Sequence, residues 1–359
     1  MEKKLILAVN PGSTSTKYAL FEEETLVFEN TLRHSFEEIG KFDKITDQLL
    51  FRKELIVKSL VDAGYEIDSI SAIVGRGGLV NPIESGIYEI NDLMLEHLSS
   101  AVNGEHASNL GALISHDIVK DHPSVKAYIV DPVVVDELLP LARLSGHPLI
   151  ERRSIFHALN HKAVARIYAA SIGKKYEELN LVIAHMGGGV SVGAHLKGKV
   201  IDVNNALNGD GPYSPERSGG LPAFQLAELC FSGKYSLNDI KGMITGKGGM
   251  VAYLGTNSFK EICEKAEAGD AKAELIRSGA SYQIGKEIGS MVAVLRGEVD
   301  AIILTGGMAY QKGNVEKITQ MVKSFAPVVV YPGEDELKAL AYNGLLAING
   351  KIEVKSYKG

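Results

Sequence analysis

Three glycine-containing turns directly follow short apolar runs, and turns of this kind can bind phosphate. They are residues 10–17 with the sequence NPGSTSTK, the triple glycine at 187–189, and the pair Gly306-Gly307. A tight turn needs one glycine for a positive φ, whereas consecutive glycines also let a ligand approach bare backbone N–H groups. Each turn could equally close a hairpin and bind nothing. The pattern therefore predicts candidate phosphate loops, with a purely structural role as the alternative.

Neither of the two common phosphate motifs is present at these turns. Residues 12–17 lack the second glycine of a Walker A loop. Residues 187–193 lack the GxGxxG spacing and continue into the alternating, strand-like segment 190–196 instead of a helix. The sequence thus argues against both P-loop and Rossmann dinucleotide sites.

Two arginines stand beside glycines in predicted turns. Arg76 lies between glycines after the apolar residues 70–74, and Arg217 precedes Ser218 and two further glycines. A guanidinium matches the geometry of a carboxylate or a phosphoryl group, so both arginines could bind an anion. The alternative is a solvated loop arginine, with Glu216 as a neighbouring partner for Arg217. The residues alone leave both possibilities open.

Two histidines and an aspartate stand at the ends of predicted elements. His157 opens the predicted helix 156–172, His185 ends a strand before the triple glycine, and Asp131 ends the strand 127–130. Ligands of open α/β sheets bind beyond such strand ends. The same positions suit capping groups, and Asp131 could simply cap the turn at Pro132. We expect site residues here, with capping as the alternative.

An internal repeat relates the two halves of the chain. Shifting the sequence by 176 residues lays residues 5–9 on 181–185, and matches Gly12 with Gly188 and Ser15 with Ser191. In each copy an apolar strand, a glycine turn, an alternating strand, a second turn and a third strand follow one another. Two β-meanders can resemble each other by chance, but the repeat favours two related domains.

Helical periodicity alternates with apolar runs through the remaining sequence. The predicted helices are residues 44–63, 109–120, 156–172, 222–231, 237–243, 271–296, 314–325 and 335–348. Strands mixed with helices on this scale predict an α/β protein with helix-covered sheets, which the meanders make mixed. We expect two domains, residues 1–155 with 335–359 and residues 156–334.

Composition excludes several classes of protein. The 359 residues carry a net charge of −6 and no basic stripe, which argues against nucleic acid as a partner. No window of about 18 apolar residues exists, so we expect no membrane span. Residues 5–9 are too few for a signal peptide's apolar region. The two cysteines have no CxxC spacing, which fits a reducing cytoplasm.

The order of these motifs resembles the acetate kinase family, within the superfamily that contains actin, hexokinase and the heat-shock chaperone ATPases. The matching segments are residues 5–17, 75–78, 131–132, 152–157, 184–189 and 216–220. The resemblance spans most of the chain. The NPGSTSTK opening, the short chain and Gly77-Gly78 resemble the butyrate kinase branch of the family.

The resemblance implies a duplicated actin-like ATPase fold, with five-stranded mixed sheets and two domains that close on a nucleotide in a central cleft. It implies a phosphotransferase that converts ATP plus butyrate, or a branched acid such as isobutyrate, into ADP plus the acyl phosphate. Mg²⁺ would be the cofactor, bound through oxygen, so we reject a zinc site at His157 and His161. The partners would be small molecules and further copies of this chain, in a homodimer or a larger homo-oligomer.

The resemblance also implies roles for individual residues. The catalytic residues would be Arg76, Asp131, His157 and Arg217. The acid would contact Arg76, Gly78, His106 and Phe156. ATP would contact Asn10, Ser13, Ser15, Lys17, His185, Gly187, Gly188, Gly189, Gly306, Gly307 and Met308. Asn10 would also hold the metal, and its amide would hold metal-bound water less strongly than the aspartate usual in ATP-hydrolysing relatives.

This sequence departs from the family pattern at two places. Acetate kinases have a carboxylate near magnesium where this chain has Tyr310, which leaves the metal ligands open, with Glu334 as a distant candidate. Acetate kinases also have two valines where this chain has Gly77 and Gly78. We expect the two missing side chains to lengthen the acyl pocket, unless Gly78 is needed for a positive φ.

Three other functions stay open at this point. An acetate or propionate kinase would share the same motifs. An actin-like filament or chaperone ATPase would share the fold, although the chain carries little beyond its last predicted helix. A sugar kinase would need an aspartate as a general base, and Asp131 could serve.

Overall fold

A computed structural model describes residues 3–359 of the chain. The described chain divides into two compact units, Met1–Val135 with Asp335–Gly359, and Asp136–Glu334. Throughout residues 3–359, no helix combines the length and the apolar character needed to span a bilayer.

The strands, in chain order, account for both copies of the predicted repeat. They are β1 Leu5–Pro11, β2 Ser15–Glu22, β3 Thr25–Arg33, β4 Ala72–Arg76, β5 Ile87–Glu89, β6 Lys126–Val130, β7 Leu144–His147, β8 Ile150–Glu151, β9 Asn180–Met186, β10 Val190–Leu196, β11 Lys199–Val203, β12 Ala301–Gly306, β13 Val328–Pro332 and β14 Val354–Ser356.

The helices lie where the sequence periodicity predicts the longer ones, with several short additions. They are α1 Phe36–Ile39, α2 Leu49–Asp62, α3 Asp92–Ser99, α4 Asn109–Val119, α5 Ala158–Ser171, α6 Ala223–Phe231, α7 Leu237–Ile244, α8 Met250–Leu254, α9 Phe259–Glu267, α10 Ala271–Val294, α11 Lys312–Val322 and α12 Glu336–Ile348. Short 3₁₀ turns, among them Tyr176–Glu178 and Gly307–Tyr310, connect some of them.

The two main sheets share one topology. The sheet of the first unit has the order β14-β5-β6-β4-β1-β2-β3, and that of the second unit has the order β11-β10-β9-β12-β13. In each, an antiparallel meander is followed by two strands that run parallel to the first strand of the meander. The mixed α/β class and the duplication are therefore confirmed.

The expectation of five strands in both sheets is wrong for the first unit, whose sheet has seven. The added strands β5 and β14 pair with each other and continue the sheet beyond β6. Each added strand is three residues long, too short to give a periodic signal in the sequence.

The boundary between the units lies after Val135 and not after residue 155. Residues 136–155 hydrogen bond to the second unit: Glu137 pairs with Lys162, Arg152 pairs with Asp202, and the Leu139 N–H donates to the Ile201 carbonyl. Because of these contacts, residues 136–155 belong to the second unit, whereas the sequence analysis places them in the first domain.

Each sheet is covered by its own apolar core. In the first unit the buried residues of β1, β2 and β4 pack with α2, α3 and α4, and in the second those of β9, β10 and β12 pack with α9, α10 and α11. The parallel strands β1, β4 and β6 end at one edge of their sheet, and β9, β12 and β13 end at one edge of theirs. Of the predicted site residues, Asn10, Arg76 and Asp131 lie at the first edge, and His185 and Gly306 lie at the second.

Candidate active site

The turn between β1 and β2, residues 12–15, is held from within by a buried arginine. Arg52 of α2 is 0% exposed and donates to the carbonyls of Gly12 at 2.7 Å, Ser15 at 3.1 Å and Ser13 at 3.1 Å. Burial lowers the pKa of this guanidinium to about 10. Arg52 therefore supports the turn through three of its carbonyls. The sequence analysis did not identify Arg52, although it shares the buried stripe of α2 with Ile56 and Leu60.

A polar cluster lies at the carboxyl ends of β1 and β4. The Asn10 amide donates to Glu336 Oε2 at 2.5 Å, and Arg76 Nη1 lies 3.3 Å from both Asn10 Oδ1 and Glu336 Oε2. Glu336 opens α12 and its side chain is 9% exposed. Lys17 is the strand partner of Asn10, so both side chains lie on the same face of the hairpin. Two predicted site residues, Asn10 and Arg76, thus lie together, and Glu336, which the sequence analysis did not identify, lies beside them.

The donor set of this cluster fits magnesium. Mg²⁺ prefers carboxylate and amide oxygens and usually takes only one or two from the protein, with water and substrate phosphates as the other ligands. Asn10 Oδ1 and Glu336 Oε2 supply two such oxygens. Within residues 3–359 there is no group of three or more His, Cys, Asp or Glu side chains that could hold a metal by itself.

Asp131 follows β6 in a left-handed conformation, with φ of 38°, and is buried. Its Oδ1 accepts from the Ser85 hydroxyl at 2.6 Å and from the Gly86 N–H at 2.8 Å. These contacts hold the neighbouring loop and support a structural role beside the predicted catalytic one.

Gly77 and Gly78 do not leave space for a longer acyl chain. A Cβ at Gly78 would lie 2.6 Å from Asn109 Cα and 2.7 Å from Leu98 Cδ2, and one at Gly77 would lie 2.5 Å from Pro132 Cβ. Neither residue has a positive φ. The expected pocket extension at Gly78 is therefore wrong, and so is the positive-φ alternative, because protein atoms fill the space that the missing side chains leave.

His106 lies in the loop before α4, half-buried. Its Nδ1 is 2.8 Å from the Ser108 hydroxyl and accepts from the Ser108 N–H at 3.2 Å. These contacts fix the ring within its own loop.

The turn between β9 and β10, Gly187 to Gly189, is packed against Arg217. The Gly187 N–H donates to the Gly189 carbonyl at 2.9 Å. A Cβ at Gly189 would lie 2.0 Å from Arg217 Nη1, and this Nη1 donates to the Ala206 carbonyl at 2.6 Å. A Cβ at Gly188 would lie 3.3 Å from Glu216 Oε1. Because these residues are glycines, the side chains of Glu216 and Arg217 can pack directly against the turn. Arg217 therefore lies at the predicted phosphate turn.

His157 and His185 stack beside the same turn. Their ring centroids are 3.8 Å apart and the rings are nearly parallel. His185 is fully buried, its Nδ1 donates to Asn160 Oδ1 at 2.9 Å, and its Nε2 lies 3.0 Å from Glu334 Oε1. The carboxylate that the sequence analysis considered as a metal ligand, Glu334, thus lies beside a histidine.

The remaining predicted residues of the second unit lie in the apolar core or next to it. Gly306 has φ of 87°, and a Cβ there would lie 2.4 Å from the Met186 carbonyl oxygen, whereas Gly307 faces open space. Met308 is 2% exposed and its side chain packs in the apolar core. Phe156 is also 2% exposed, with its ring edge-to-face on His161.

Solved structures share this architecture. Acetate kinase from Porphyromonas gingivalis superposes with a TM-score of 0.78 at 19% identity, covering 96% of this chain and 100% of that one. A propionate kinase from Francisella tularensis gives a TM-score of 0.74 at 19% identity, covering 95% and 98%. At these identities the likeness shows the fold, which is the duplicated actin-like ATPase fold.

Sequence comparison is more specific. The chain is 55% identical over 353 residues to butyrate kinase 1 of Clostridium acetobutylicum, covering 98% of this chain and 99% of that protein. The model of the acetokinase family matches residues 136–328. With both sequence matches and the shared fold, the chain belongs to the acetokinase family.

Proposed function

We propose that the chain is an ATP-dependent carboxylate kinase that converts ATP plus butyrate, or a branched acid such as isobutyrate, into ADP plus the acyl phosphate. The observation that carries this proposal is the 55% identity over 98% of the chain to a butyrate kinase. A carboxylate oxygen of the acid would attack the γ-phosphorus, and the bond to the β–γ bridging oxygen would break.

This reaction needs positive charge more than it needs a base. A carboxylic acid with a pKa near that of a Glu side chain, about 4.3, is already ionised at neutral pH. The obstacle is repulsion between this anion and the γ-phosphoryl group, which preorganised cations and N–H donors reduce in the transition state.

We assign acceptor and metal binding to the cluster in the first unit. Arg76 would pair with the acid carboxylate, and Asn10 and Glu336 would hold Mg²⁺. When bound, the ion supplies charge neutralisation for the phosphates. Arg76 lies 3.3 Å from Glu336, which orients its guanidinium before substrate arrives. Lys17, on the face of Asn10, would contact a phosphate.

We assign stabilisation of the transferred group to the second unit. Arg217 and the N–H groups of the Gly187–Gly189 turn would donate to phosphoryl oxygens. His157 would donate to an equatorial oxygen, and the stacked His185 would keep the His157 ring in place. The packing of Arg217 on Gly189 supports this assignment because it positions the guanidinium without movement.

We further propose a homo-oligomer in the cytoplasm. Helix α6 buries none of its residues, and its Phe224 and Phe231 are 75% and 91% exposed. Exposed aromatic side chains on one helix often mark a protein–protein interface, and a second copy would cover them. The two cysteines, exposed Cys230 and buried Cys263, are free thiols, in keeping with a reducing compartment.

An ATP-dependent hydroxamate assay with acids of two to five carbons tests the activity. Two additional buried methylenes are worth about 1.6 kcal/mol, so kcat/KM for butyrate should exceed that for acetate about fifteenfold. Preference for acetate or propionate would instead identify the shorter-chain kinase. Turnover of a sugar panel with none of the acids would overturn the proposal.

A further inference from the structure

A continuous line of buried polar side chains connects His157 to a tyrosine in the second unit. The Ser191 hydroxyl lies 2.8 Å from His157 Nδ1 and 2.9 Å from His161 Nε2. His161 Nδ1 lies 3.1 Å from His195 Nε2, and the Tyr176 hydroxyl lies 2.6 Å from His195 Nδ1. We call these five residues the histidine relay. Its members beyond His157 are 0 to 4% exposed.

The two inner histidines are neutral. Burial, followed by neighbouring His185 and Lys162, holds the pKa of His161 well below its usual value. Burial, followed by His161 and Lys162, does the same for His195. Lys162 is itself buried and donates to Glu137 at 2.7 Å. Each inner imidazole therefore carries one proton and serves as donor at one nitrogen and acceptor at the other.

The tyrosine sets the direction of this relay. A phenol is a good donor and an imidazole nitrogen a far better acceptor than a phenol oxygen, so Tyr176 donates to His195 Nδ1. His195 Nε2–H then donates to His161 Nδ1, His161 Nε2–H donates to Ser191, and the Ser191 hydroxyl donates to His157 Nδ1. In these four hydrogen bonds each hydrogen is used once, and each accepting nitrogen receives one hydrogen from within the relay.

We propose that the histidine relay holds His157 as the tautomer protonated at Nε2, with Tyr176 as a positioning residue that acts through three others. This proposal rests on the proposed function, in which the His157 N–H donates to the transferred phosphoryl group. The opposite tautomer would present a bare nitrogen lone pair to anionic oxygens and would repel them. The relay thus selects the donor form of the ring at neutral pH, where a histidine carries a single proton.

Groups of β9, β10 and α5 pack against His157, and Glu334, between β13 and α12, contacts its stacked neighbour His185. His185 of β9 stacks on the ring and has Glu334 3.0 Å from its Nε2. Ser191 belongs to β10, and His161 lies one turn further along α5. When acid protonates His157 at both nitrogens, Nε2 carries a hydrogen whatever the relay does. A defect in the relay should therefore cost activity at neutral and alkaline pH and cost less in acid.

The direct test is the ¹⁵N spectrum of histidine side chains in the full-length protein, with His157 identified by the signal lost in His157→Gln. We expect a protonated Nε2 and a bare Nδ1 at pH 8. A protonated Nδ1 in the unsubstituted protein would overturn the proposal. This measurement does not depend on turnover, so it separates failure of the relay from failure of the proposed kinase activity.

Tyr176→Phe tests transmission along the relay. We expect the His157 nitrogen signals to move toward a mixture of tautomers, and kcat at pH 8 to fall about three- to tenfold with an unchanged KM for ATP, the size of one lost hydrogen bond. The deficit should shrink at pH 5.5. The matched control is Tyr168→Phe, which removes a hydroxyl from the same apolar cluster but not from the relay.

Two outcomes count against transmission. Unchanged His157 signals in Tyr176→Phe, or an equal change in Tyr168→Phe, would show that the tyrosine does not act through the relay. If Tyr176→Phe fails to fold, Ser191→Ala cuts the relay beside His157 and should remove the hydrogen bond at Nδ1. A kcat deficit in Ser191→Ala that is the same at every pH would mean a purely structural role.

Discussion

The two glycine-containing hairpins are built on the same strand pattern, yet each is supported by its arginine in a different way. In the first, Arg52 is fully buried and donates to three turn carbonyls. In the second, Arg217 is half-buried and lies on Gly189, with Nη1 donating to the Ala206 carbonyl. The first arginine donates to the turn itself, whereas the second packs on its turn and donates to a carbonyl outside it.

The residues at the ends of the first hairpin strands, Asn10 and His185, also have different polar partners. Asn10 of β1 contacts the carboxylate of Glu336, an oxygen-rich arrangement suited to a cation. His185 of β9 stacks on His157 and lies 3.0 Å from Glu334, so the carboxylate here faces imidazole rings and not an amide and a guanidinium. The duplicated frames thus carry different polar groups at their strand ends, which fits the proposed metal binding at the first and phosphoryl binding at the second.

Removing Arg217 is the most severe test of this comparison. Arg217→Ala should raise the activation free energy by about 2.7 to 4 kcal/mol and lower kcat accordingly, which is the usual cost of losing one preorganised donor to a transition state. The melting temperature and the KM for ATP should change little. The exposed Arg153, replaced by Ala, is the control. A raised KM for ATP at unchanged kcat would contradict a role in the transferred group.

Removing Arg52 should instead lower stability. Arg52→Met leaves the carbonyls of Gly12, Ser13 and Ser15 without this donor and removes a buried charged side chain from its partners, and we expect the free energy of unfolding to drop by about 3 kcal/mol. Urea unfolding measures it. Arg52→Lys, which keeps the charge but loses the planar fork, should recover part of the loss. If Arg52→Met unfolded like the unsubstituted protein but lost turnover as Arg217→Ala does, the two arginines would have equivalent roles.

The sequence predicted the parts of this site that are local. The strands β1, β9 and β12 were predicted because an apolar run ending in glycine is a signal within ten residues. Arg52 could have been found the same way, since it stands four residues before Ile56 on a helical stripe. The sequence analysis did not consider Arg52 because a charged residue is not expected at a buried position.

The parts that depend on distant contacts could not be predicted. Glu336 meets Asn10 across 326 residues, and no local pattern links the two. At Gly78 the sequence shows that a side chain is missing but not what occupies its space, which is Asn109 and Leu98. The assignments of catalytic and nucleotide-binding residues stay predictions, which the substitutions described here can test.

Gly78 of the first unit and Gly189 of the second allow the two regions to be compared through their backbones. Gly78→Ala should lower the free energy of unfolding by about 2 kcal/mol, because its Cβ would overlap the core of the first unit. The butyrate-to-acetate ratio should stay constant. Gly189→Ala should displace the Arg217 guanidinium and lower kcat with a smaller change in stability. If the Gly78→Ala protein had normal stability and a shifted acid preference, Gly78 would line the acyl pocket after all.

The two carboxylates give the finest distinction between the hairpins. Glu336→Gln keeps the size of the side chain and removes its charge, so the Mg²⁺ concentration for half-maximal rate should rise about tenfold, as for other weakened metal shells. Glu334→Gln is the matched control, two residues away, and should leave the Mg²⁺ requirement unchanged while lowering kcat through His185. Titrating Mg²⁺ at saturating ATP and butyrate measures both. If Glu334→Gln changed the Mg²⁺ requirement and Glu336→Gln did not, the metal would belong with His185, and the division of chemistry between the two hairpins would be reversed.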